Sequence, residues 1–492
     1  MSDPPRIPSP SAIAERLDRL PWTPRHTTIL VALGAGWLFD SFEVQMFSSA
    51  VGPLGDHFHA TVTQRDAVLA VWLGGILVGA LAGGRLADRF GRRRLFVATL
   101  LWYAGFTVLT GLAPDLGSVY ALRALAALGV GAEYSIVNAA IAEFMPARVR
   151  GKANAVVMNF WPAGAILAGA VAYFVLDTLA VSAANSWRYM FVLGGLVALV
   201  VLYFRRRIPE SPRWLASQGR YEEAEQVVSS LESGTPPRPQ PPDGRDEERP
   251  PRLGAALGEL VHRYPGRLAL GAALDLAEAF GYYGIFALLS VVVLPEVHIS
   301  ARAIPLFYIV GNVGGLAGGL VMSSLFDRLG HRVTVAGSYS LAAAGVGLLA
   351  LATATTSAAW VTAAFVVANA TATAAWTSAY PTFTELFPTH LRAAGVGASV
   401  AVGRIGAIVG TLSLPSLATH LGATFSYTLV GAFWLVGVAA MGVFAWRGGQ
   451  EAARQPLETL VRVAAESASP AESASPVESA SPVESASPAG GR

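Results

Sequence analysis

Long apolar segments, separated by short polar loops, recur along most of the chain. A helix needs about 20 apolar residues to cross the hydrocarbon core of a bilayer. By that length, the pattern predicts an all-α membrane protein with two groups of six transmembrane helices and a polar stretch between them. The first six spans lie near 27–50, 67–86, 95–113, 116–143, 153–176 and 188–205, and the second six lie near 268–294, 304–325, 333–352, 357–386, 394–418 and 423–446.

Three polar regions lie outside these spans. The N-terminal one is proline-rich and lacks the apolar core of a signal peptide, so we expect it to stay uncleaved. The central one has helical character over Arg220–Leu231, followed by a proline-rich stretch that predicts an extended linker. The last repeats Glu-Ser-Ala-Ser-Pro four times, which predicts disorder. The predicted domains are an N-terminal segment at 1–26, a six-helix bundle at 27–206, a central loop at 207–267, a second six-helix bundle at 268–446 and a repeat tail at 447–492.

Positive charges are concentrated in alternate loops. Of the 35 Lys and Arg residues, 30 fall in the loops that share a side with the two termini, 3 fall in the opposite loops, and 2 lie inside spans. Because cytoplasmic loops carry an excess of Lys and Arg, this asymmetry predicts a plasma-membrane protein with both termini in the cytoplasm.

Composition supports the membrane assignment and excludes several classes of protein. Hydrophobic residues make up 53% and charged residues 14% of the chain, whereas soluble domains carry about 25% charged residues. Cysteine is absent, which excludes disulfides and thiolate metal sites. Because the net charge is only +2, we predict that the protein has no nucleic-acid partner. We find no nucleotide-binding loop, metal-ligand cluster or nucleophile motif, so we predict neither an enzyme nor a cofactor.

Two motif pairs repeat between the halves. The segment 84–93, Gly-Arg-Leu-Ala-Asp-Arg-Phe-Gly-Arg-Arg, ends span two, and its copy at 323–332 ends span eight. Likewise, Glu-Phe-Met-Pro at 143–146 matches Glu-Leu-Phe-Pro at 385–388. The two offsets, 239 and 242 residues, are nearly equal, so we infer a duplicated six-helix unit. Such internal repeats are typical of transporters with a central site between the halves.

The segment 84–93 resembles the signature loop of the major facilitator superfamily. Two further stretches resemble its sugar-porter branch: Arg123 with the glycines that follow it, and Pro-Glu-Ser-Pro-Arg-Trp-Leu at 209–215. The resemblance covers about 27–446. It implies two pseudo-symmetric six-helix bundles, alternating access, and a network of motif charges that closes the cytoplasmic side. The residues of this predicted gate are Asp88, Arg89, Arg92, Glu143, Arg150, Glu210, Arg213, Asp327, Arg328, Glu385 and Arg392.

Ionisable residues inside the spans are candidates for function, because a charge in the bilayer core is costly. At 1.5 Å per residue, Asp40 in span one lies ~15 Å and Arg123 in span four ~10 Å from the outer membrane face, so the two can meet. In sugar-porter relatives an Asp–Arg pair of this kind couples transport to protons. The resemblance therefore implies proton coupling by Asp40 and Arg123, with Glu43 and Glu133 as further candidates, and the alternative is a static buried ion pair.

Candidates for solute binding lie in spans five, seven, ten and eleven. Arg404 and Glu278 lie at the same depth, so they either pair or leave Arg404 free to bind an anion through its guanidinium. The segments 36–43, 131–133 and 281–284 resemble bacterial niacin and aromatic-acid transporters, whereas the glutamine pair and the Gly-Pro-x-x-Trp block of sugar porters are replaced. The candidate substrate-binding residues are Arg404, Glu278, Asp275, Asn159, Tyr282, Tyr283 and Trp376.

Together these observations favour a monomeric secondary transporter that carries a small organic acid, niacin-like or aromatic, in symport with protons. Its partners are then the solute, protons and the lipid bilayer. Three alternatives stay open from the sequence: sugar–proton symport, proton-coupled export of drugs or metabolites, and a receptor-like protein that keeps the fold without transport. The gate charges present in both halves argue against the last.

Overall fold

The computed structural model describes residues 10–175, 183–232, 253–299, 303–355, 357–387 and 391–449. Within these ranges the chain forms helices and no β-strand. The predicted proline-rich linker and the repeat tail lie outside the described residues. Eleven of the described helices are long and apolar enough to cross a membrane. The twelfth predicted span corresponds to the helix at Pro265–Leu288, which carries the charged residues Arg267, Asp275 and Glu278.

The first half begins with a short helix that the sequence pattern did not predict. Six membrane helices follow, and the fifth of them is broken at Asn159. Two short helices come after the sixth. The elements are α1 (Pro10–Arg19), α2 (Pro24–His57), α3 (Val62–Phe90), α4 (Arg92–Gly111), α5 (Leu116–Phe144), a 3₁₀ turn (Ala147–Val149), α6 (Arg150–Met158), α7 (Phe160–Tyr173), α8 (Ala183–Arg205), α9 (Pro212–Ser217) and α10 (Tyr221–Leu231).

The second half repeats the six membrane helices of the first. A short helix precedes it, and a π-helical segment extends its first membrane helix. The elements are α11 (Leu253–Arg263), α12 (Pro265–Leu288), the π segment (Leu289–Val293), α13 (Leu294–Glu296), α14 (Ile304–Leu329), α15 (His331–Thr353), α16 (Ala358–Leu386), α17 (Arg392–Leu421) and α18 (Ala423–Trp446).

Matching glycines end the second membrane helix of each half. Gly91 separates α3 from α4 with φ +89°, and Gly330 separates α14 from α15 with φ +78°. Side chains with a Cβ rarely adopt this conformation, so each motif needs glycine at its turn. The repeated segments 84–93 and 323–332 therefore build the same turn in both halves.

Two seams join the halves. Along one, α3 packs against α17; along the other, α6 and α7 pack against α14, and α6 also contacts α16. Small residues allow this close approach: a Cβ on Gly397 of α17 would lie 3.0 Å from the carbonyl oxygen of Ala80 in α3. The short helices α1, α9 and α10 contact one another outside the membrane helices. We call the membrane face that carries them the basic face.

Candidate functional site

Aromatic side chains from both halves pack together where the two bundles meet. Trp161 of α7 stacks on Trp376 of α16, with ring centroids 5.3 Å apart, and Trp376 in turn stacks on Tyr380 at 5.5 Å. Tyr282 of α12 meets the Trp376 ring edge-on at 5.2 Å. Trp37 of α2 closes the group, lying 5.7 Å from Trp161 and 5.8 Å from Tyr380. We call these five residues the aromatic box.

The guanidinium of Arg404 lies beside this box and is fully buried. Its Cζ lies 5.0 Å from the ring centroid of Tyr134 and 5.5 Å from that of Tyr283. Nη1 donates a hydrogen bond of 3.0 Å to the Tyr283 hydroxyl. Nε and Nη2 are buried and have no hydrogen-bond partner among the described residues. A buried polar group without a partner is costly, and two adjacent guanidinium donors match the geometry of a carboxylate.

Two carboxylates of α12 lie near Arg404 without bonding to it. Asp275 packs its carboxylate against Gly403, the residue before Arg404. Glu278 accepts a hydrogen bond of 3.4 Å from the Tyr339 hydroxyl. The predicted alternative in which Glu278 pairs with Arg404 is therefore wrong for this conformation. The two carboxylates and the single guanidinium form a buried cluster with one excess negative charge when all three are ionised.

In the first half, the ion pair differs from the predicted one. Nη1 of Arg123 donates to Oε1 of Glu43 at 2.7 Å, and Thr107 also hydrogen-bonds this carboxylate. Both members of the pair are buried. The expected pairing of Arg123 with Asp40 is wrong here, because Glu43, one helical turn further along α2, occupies the guanidinium instead.

Asp40 belongs to a second buried cluster. It lies beside Tyr103 and within electrostatic reach of Arg205. Arg205 forms an ion pair with Glu133 and donates from Nη1 to the carbonyl oxygen of Phe96 at 2.7 Å. A Cβ on Gly36 would overlap the Arg205–Glu133 pair. We call Asp40, Glu133 and Arg205 the α2–α5–α8 cluster; it holds two carboxylates and one guanidinium.

The remaining predicted substrate residues contact the other half. Nδ2 of Asn159 donates to the Ser323 hydroxyl at 2.7 Å, and Nε1 of Trp161 donates to the Tyr282 hydroxyl at 3.2 Å. Both hydrogen bonds join side chains of the two halves close to the aromatic box.

On the basic face, Arg92 gathers several residues of the predicted gate. Its Nη2 lies 2.7 Å from Oδ1 of Asp88 and 2.7 Å from Oε1 of Glu143. Glu210 accepts from the backbone N–H of Arg92 at 2.7 Å, so its carboxylate caps the start of α4. Each of these contacts joins helices of the first half, so they hold α3, α4, α5 and the start of α9 together.

Other predicted gate residues have partners that the sequence did not suggest. Oδ1 of Asp18, in α1, lies 2.6 Å from Nη2 of Arg150 and 3.0 Å from Nη2 of Arg213. In the second half, Oε2 of Glu385 lies 3.2 Å from Nε2 of His331. Arg392 donates to the carbonyl oxygen of Phe387 at 3.4 Å.

Two members of the predicted gate, Arg89 and Arg328, are not brought into these networks. The side chains of Arg89 and Arg328 are exposed, and Arg89 lies over the ring of Phe90. Their expected participation is wrong in this conformation because both point away from the helix bundle. The side chain of Asp327 lies outside the described part of the structure.

Several site residues escaped the sequence analysis. Tyr134 and Tyr380 had no signal beyond their position in apolar spans, where aromatic residues usually serve packing, and Trp37 lies in the segment 36–43 but was not singled out. Arg205 ends span six and was counted among the topology-setting charges. Asp18 lies in a segment without apolar length. Only the contacts in the folded structure identify these residues as part of the site.

Two bundles of six helices, with charged and aromatic residues buried between them, define a multi-pass membrane transporter. The profile of the Major Facilitator Superfamily matches residues 33–411. The chain belongs to that superfamily, and it is a transporter of small molecules rather than an enzyme.

Curated relatives and solved structures agree with this assignment. The chain is 27% identical over 419 residues to the niacin transporter NiaP of Acinetobacter baylyi, covering 83% of this chain and 90% of the relative. It is 29% identical over 422 residues to a probable 4-methylmuconolactone transporter of Cupriavidus pinatubonensis, covering 85% and 89%. The fold matches the proton:xylose symporter XylE with a TM-score of 0.73 and 20% identity, covering 89% of this chain and 99% of XylE.

Proposed function

We propose that the protein imports a small organic acid, niacin-like or aromatic, together with protons. The observation that carries this proposal is Arg404, whose two unpartnered nitrogens lie buried beside the aromatic box. A carboxylate supplies two acceptors for these donors. The ring of the solute would pack among the rings of the aromatic box, since offset stacking between aromatic rings is favourable. A relative named a niacin transporter supports the same class of solute.

The buried charges support a role for protons. In the α2–α5–α8 cluster, Asp40 and Glu133 share one cation, Arg205. An uncompensated charge in a buried site is strongly disfavoured, so the cluster is stable when it holds one proton. The Glu43–Arg123 pair is already balanced. We therefore propose Asp40 and Glu133 as the proton-carrying groups, and the Glu43–Arg123 pair as the fixed ion pair beside them.

Protons also favour binding of an anionic solute. A carboxylate at Arg404 would add a negative charge beside Asp275 and Glu278, which already exceed the local positive charge by one. Protonation of one of these two groups lowers that repulsion. The solute would thus bind better at acidic pH, on the side of the membrane from which protons enter.

Orientation and location complete the proposal. The basic face faces the cytoplasm, because the loops predicted on that side carry 30 of the 35 Lys and Arg residues. The protein acts as a monomer in the plasma membrane, and its two bundles alternate access to the site between them. The predicted domain boundaries, 27–206 and 268–446, are the units proposed to move.

A binding measurement tests the solute class. Purified protein is heated with nicotinate or benzoate, with the neutral amides nicotinamide and benzamide, and with xylose. A ligand at 100 times its Kd stabilises the folded state by about 2.7 kcal/mol. We expect the acids to raise Tm, the amides and xylose to leave it unchanged, and Arg404→Gln to abolish the response. A shift with xylose alone would favour sugar transport, and a shift with the acids that survives Arg404→Gln would remove Arg404 from the site.

A further inference from the structure

The short helix α1 carries an acidic residue that reaches the predicted gate. It lies outside the membrane helices, and Ile13 and Leu17 on one of its faces are no more than 1% exposed. This face packs against α9 and α10. Burial of such side chains favours the docked position by about 1.5–3 kcal/mol each. The docked helix then presents two polar residues, Arg16 and Asp18, to the rest of the first half.

Arg16 anchors α1 to the helix α10 and the residue after it. Its Nη1 and Nη2 lie 2.6 Å and 2.9 Å from the carboxylate oxygens of Glu225, and its Nε and Nη2 lie 3.0 Å and 2.8 Å from those of Glu232. The hydrogen bonds from Arg16 lower the pKa of Glu225 below its usual value. The Arg16 guanidinium thus donates four charge-assisted hydrogen bonds, and these fix the position of α1 along α10.

Asp18 joins α6 and α9 at the basic face. Its Oδ1 accepts hydrogen bonds from Arg150, the first residue of α6, and from Arg213, near the start of α9. Both guanidinium groups are buried, 3% and 7% exposed. A carboxylate between two buried cations offsets their mutual repulsion, so Asp18 favours the arrangement in which both guanidinium groups lie together.

The two elements that Asp18 holds contact the seam between the halves and the Arg92 cluster. The helix α6 lies directly against α14 and α16 of the other half. On α9, Trp214 donates from Nε1 to the carbonyl oxygen of Asp88 at 2.8 Å, next to the Arg92 cluster. By holding α6 and α9, the helix α1 therefore fixes α6, which lies at the seam between the halves, relative to the turn that follows α3.

We propose that Asp18 is a positioning residue of the gate, and that α1 is the element that keeps the basic face closed by holding α6 and α9 together. This inference rests on alternating access, as proposed above, but does not depend on which solute is carried. Loss of Asp18 shifts the resting protein towards states that are open at the basic face.

The test uses the full-length protein and a single reporter cysteine. The chain has no native cysteine, so Ser135→Cys gives one site without background. Ser135 is 2% exposed and lies across the α3–α17 seam from Gly397, whose added Cβ would be 3.6 Å from the Ser135 hydroxyl. Labelling with a maleimide applied from the basic face reports how often this part of the seam opens.

We expect Asp18→Asn to raise the labelling rate about tenfold, in line with the loss of charge-assisted hydrogen bonds. Asp18→Glu keeps the charge and is expected to restore the slow rate. Glu15→Gln, on the exposed face of the same helix, is the matched control and should label like the parent. A labelling rate for Asp18→Asn equal to the parent's overturns the inference. Absent transport of every acid tested leaves the labelling result intact and refutes only the proposed function.

Discussion

Neutralising Asp40 tests whether the α2–α5–α8 cluster, rather than the Glu43–Arg123 pair, carries the proton. Asp40→Asn keeps the size of the side chain and imitates a permanently protonated carboxyl group. The α2–α5–α8 cluster then contains Glu133 and Arg205 as a balanced pair. We therefore expect the variant to fold normally, because no buried charge is left without a partner. What it loses is the group that releases a proton in each cycle.

The size of the effect follows from the number of protons lost. One pH unit acting on one transported proton is worth about 1.36 kcal/mol, which is tenfold in solute concentration. With an imposed gradient of two pH units, loss of one coupled proton lowers the accumulation ratio about 100-fold. Exchange of labelled for unlabelled solute needs no net proton movement, so we expect it to continue.

The assay compares the variant with Glu43→Gln in proteoliposomes. Glu43→Gln removes the ion-pair partner of Arg123, and breaking one side of a buried pair costs about 3–5 kcal/mol. We expect this control to show a lower Tm and reduced exchange, whereas Asp40→Asn shows normal Tm, normal exchange and an accumulation ratio about 100-fold lower than the parent's. Accumulation by Asp40→Asn equal to that of the parent would refute the assignment of the proton to Asp40.

Further predictions concern the site and the packing around it. Arg404→Lys replaces two parallel donors by one point charge, so we expect at least about tenfold weaker binding of nicotinate by calorimetry; equal affinity would contradict bidentate binding. Asp275→Asn lowers the repulsion near Arg404, so the Kd for benzoate should fall at pH 7.5 and depend less on pH; an unchanged pH profile would assign that dependence elsewhere. Gly36→Ala overlaps the Arg205–Glu133 pair and should lower Tm, whereas Gly105→Ala, which has open space around it, should not; equal Tm values would show that the pair tolerates displacement.

The sequence predicts the fold well because its signals are local or repeated. Span length identifies most of the membrane helices, and the paired motifs predict turns that Gly91 and Gly330 indeed form with positive φ. The same span-length rule predicts the helix at Pro265–Leu288, although that helix carries three charged residues. Such features depend on residues near each other along the chain.

The site is less predictable because it depends on rotation about helix axes and on partners distant in sequence. Depth alone allowed Asp40 to meet Arg123, yet Glu43 is the residue that points towards that guanidinium. Arg205 could not be separated from topology-setting charges until its contact with Glu133 was visible. Asp18 was hidden for the same reason, since Arg150 is 132 residues away.

The central claim, that a proton gradient drives a carboxylate through this site, is tested most directly by uptake. Proteoliposomes loaded at pH 7.5 are diluted into medium at pH 5.5 with labelled nicotinate or benzoate, and the solute inside is counted before and after the gradient is collapsed by an uncoupler. Liposomes without protein correct for the passive entry of the neutral acid. The account predicts protein-dependent accumulation that an uncoupler releases and that Arg404→Gln abolishes. Protein-dependent xylose uptake, or extrusion of an organic cation, with no uptake of either acid would contradict it.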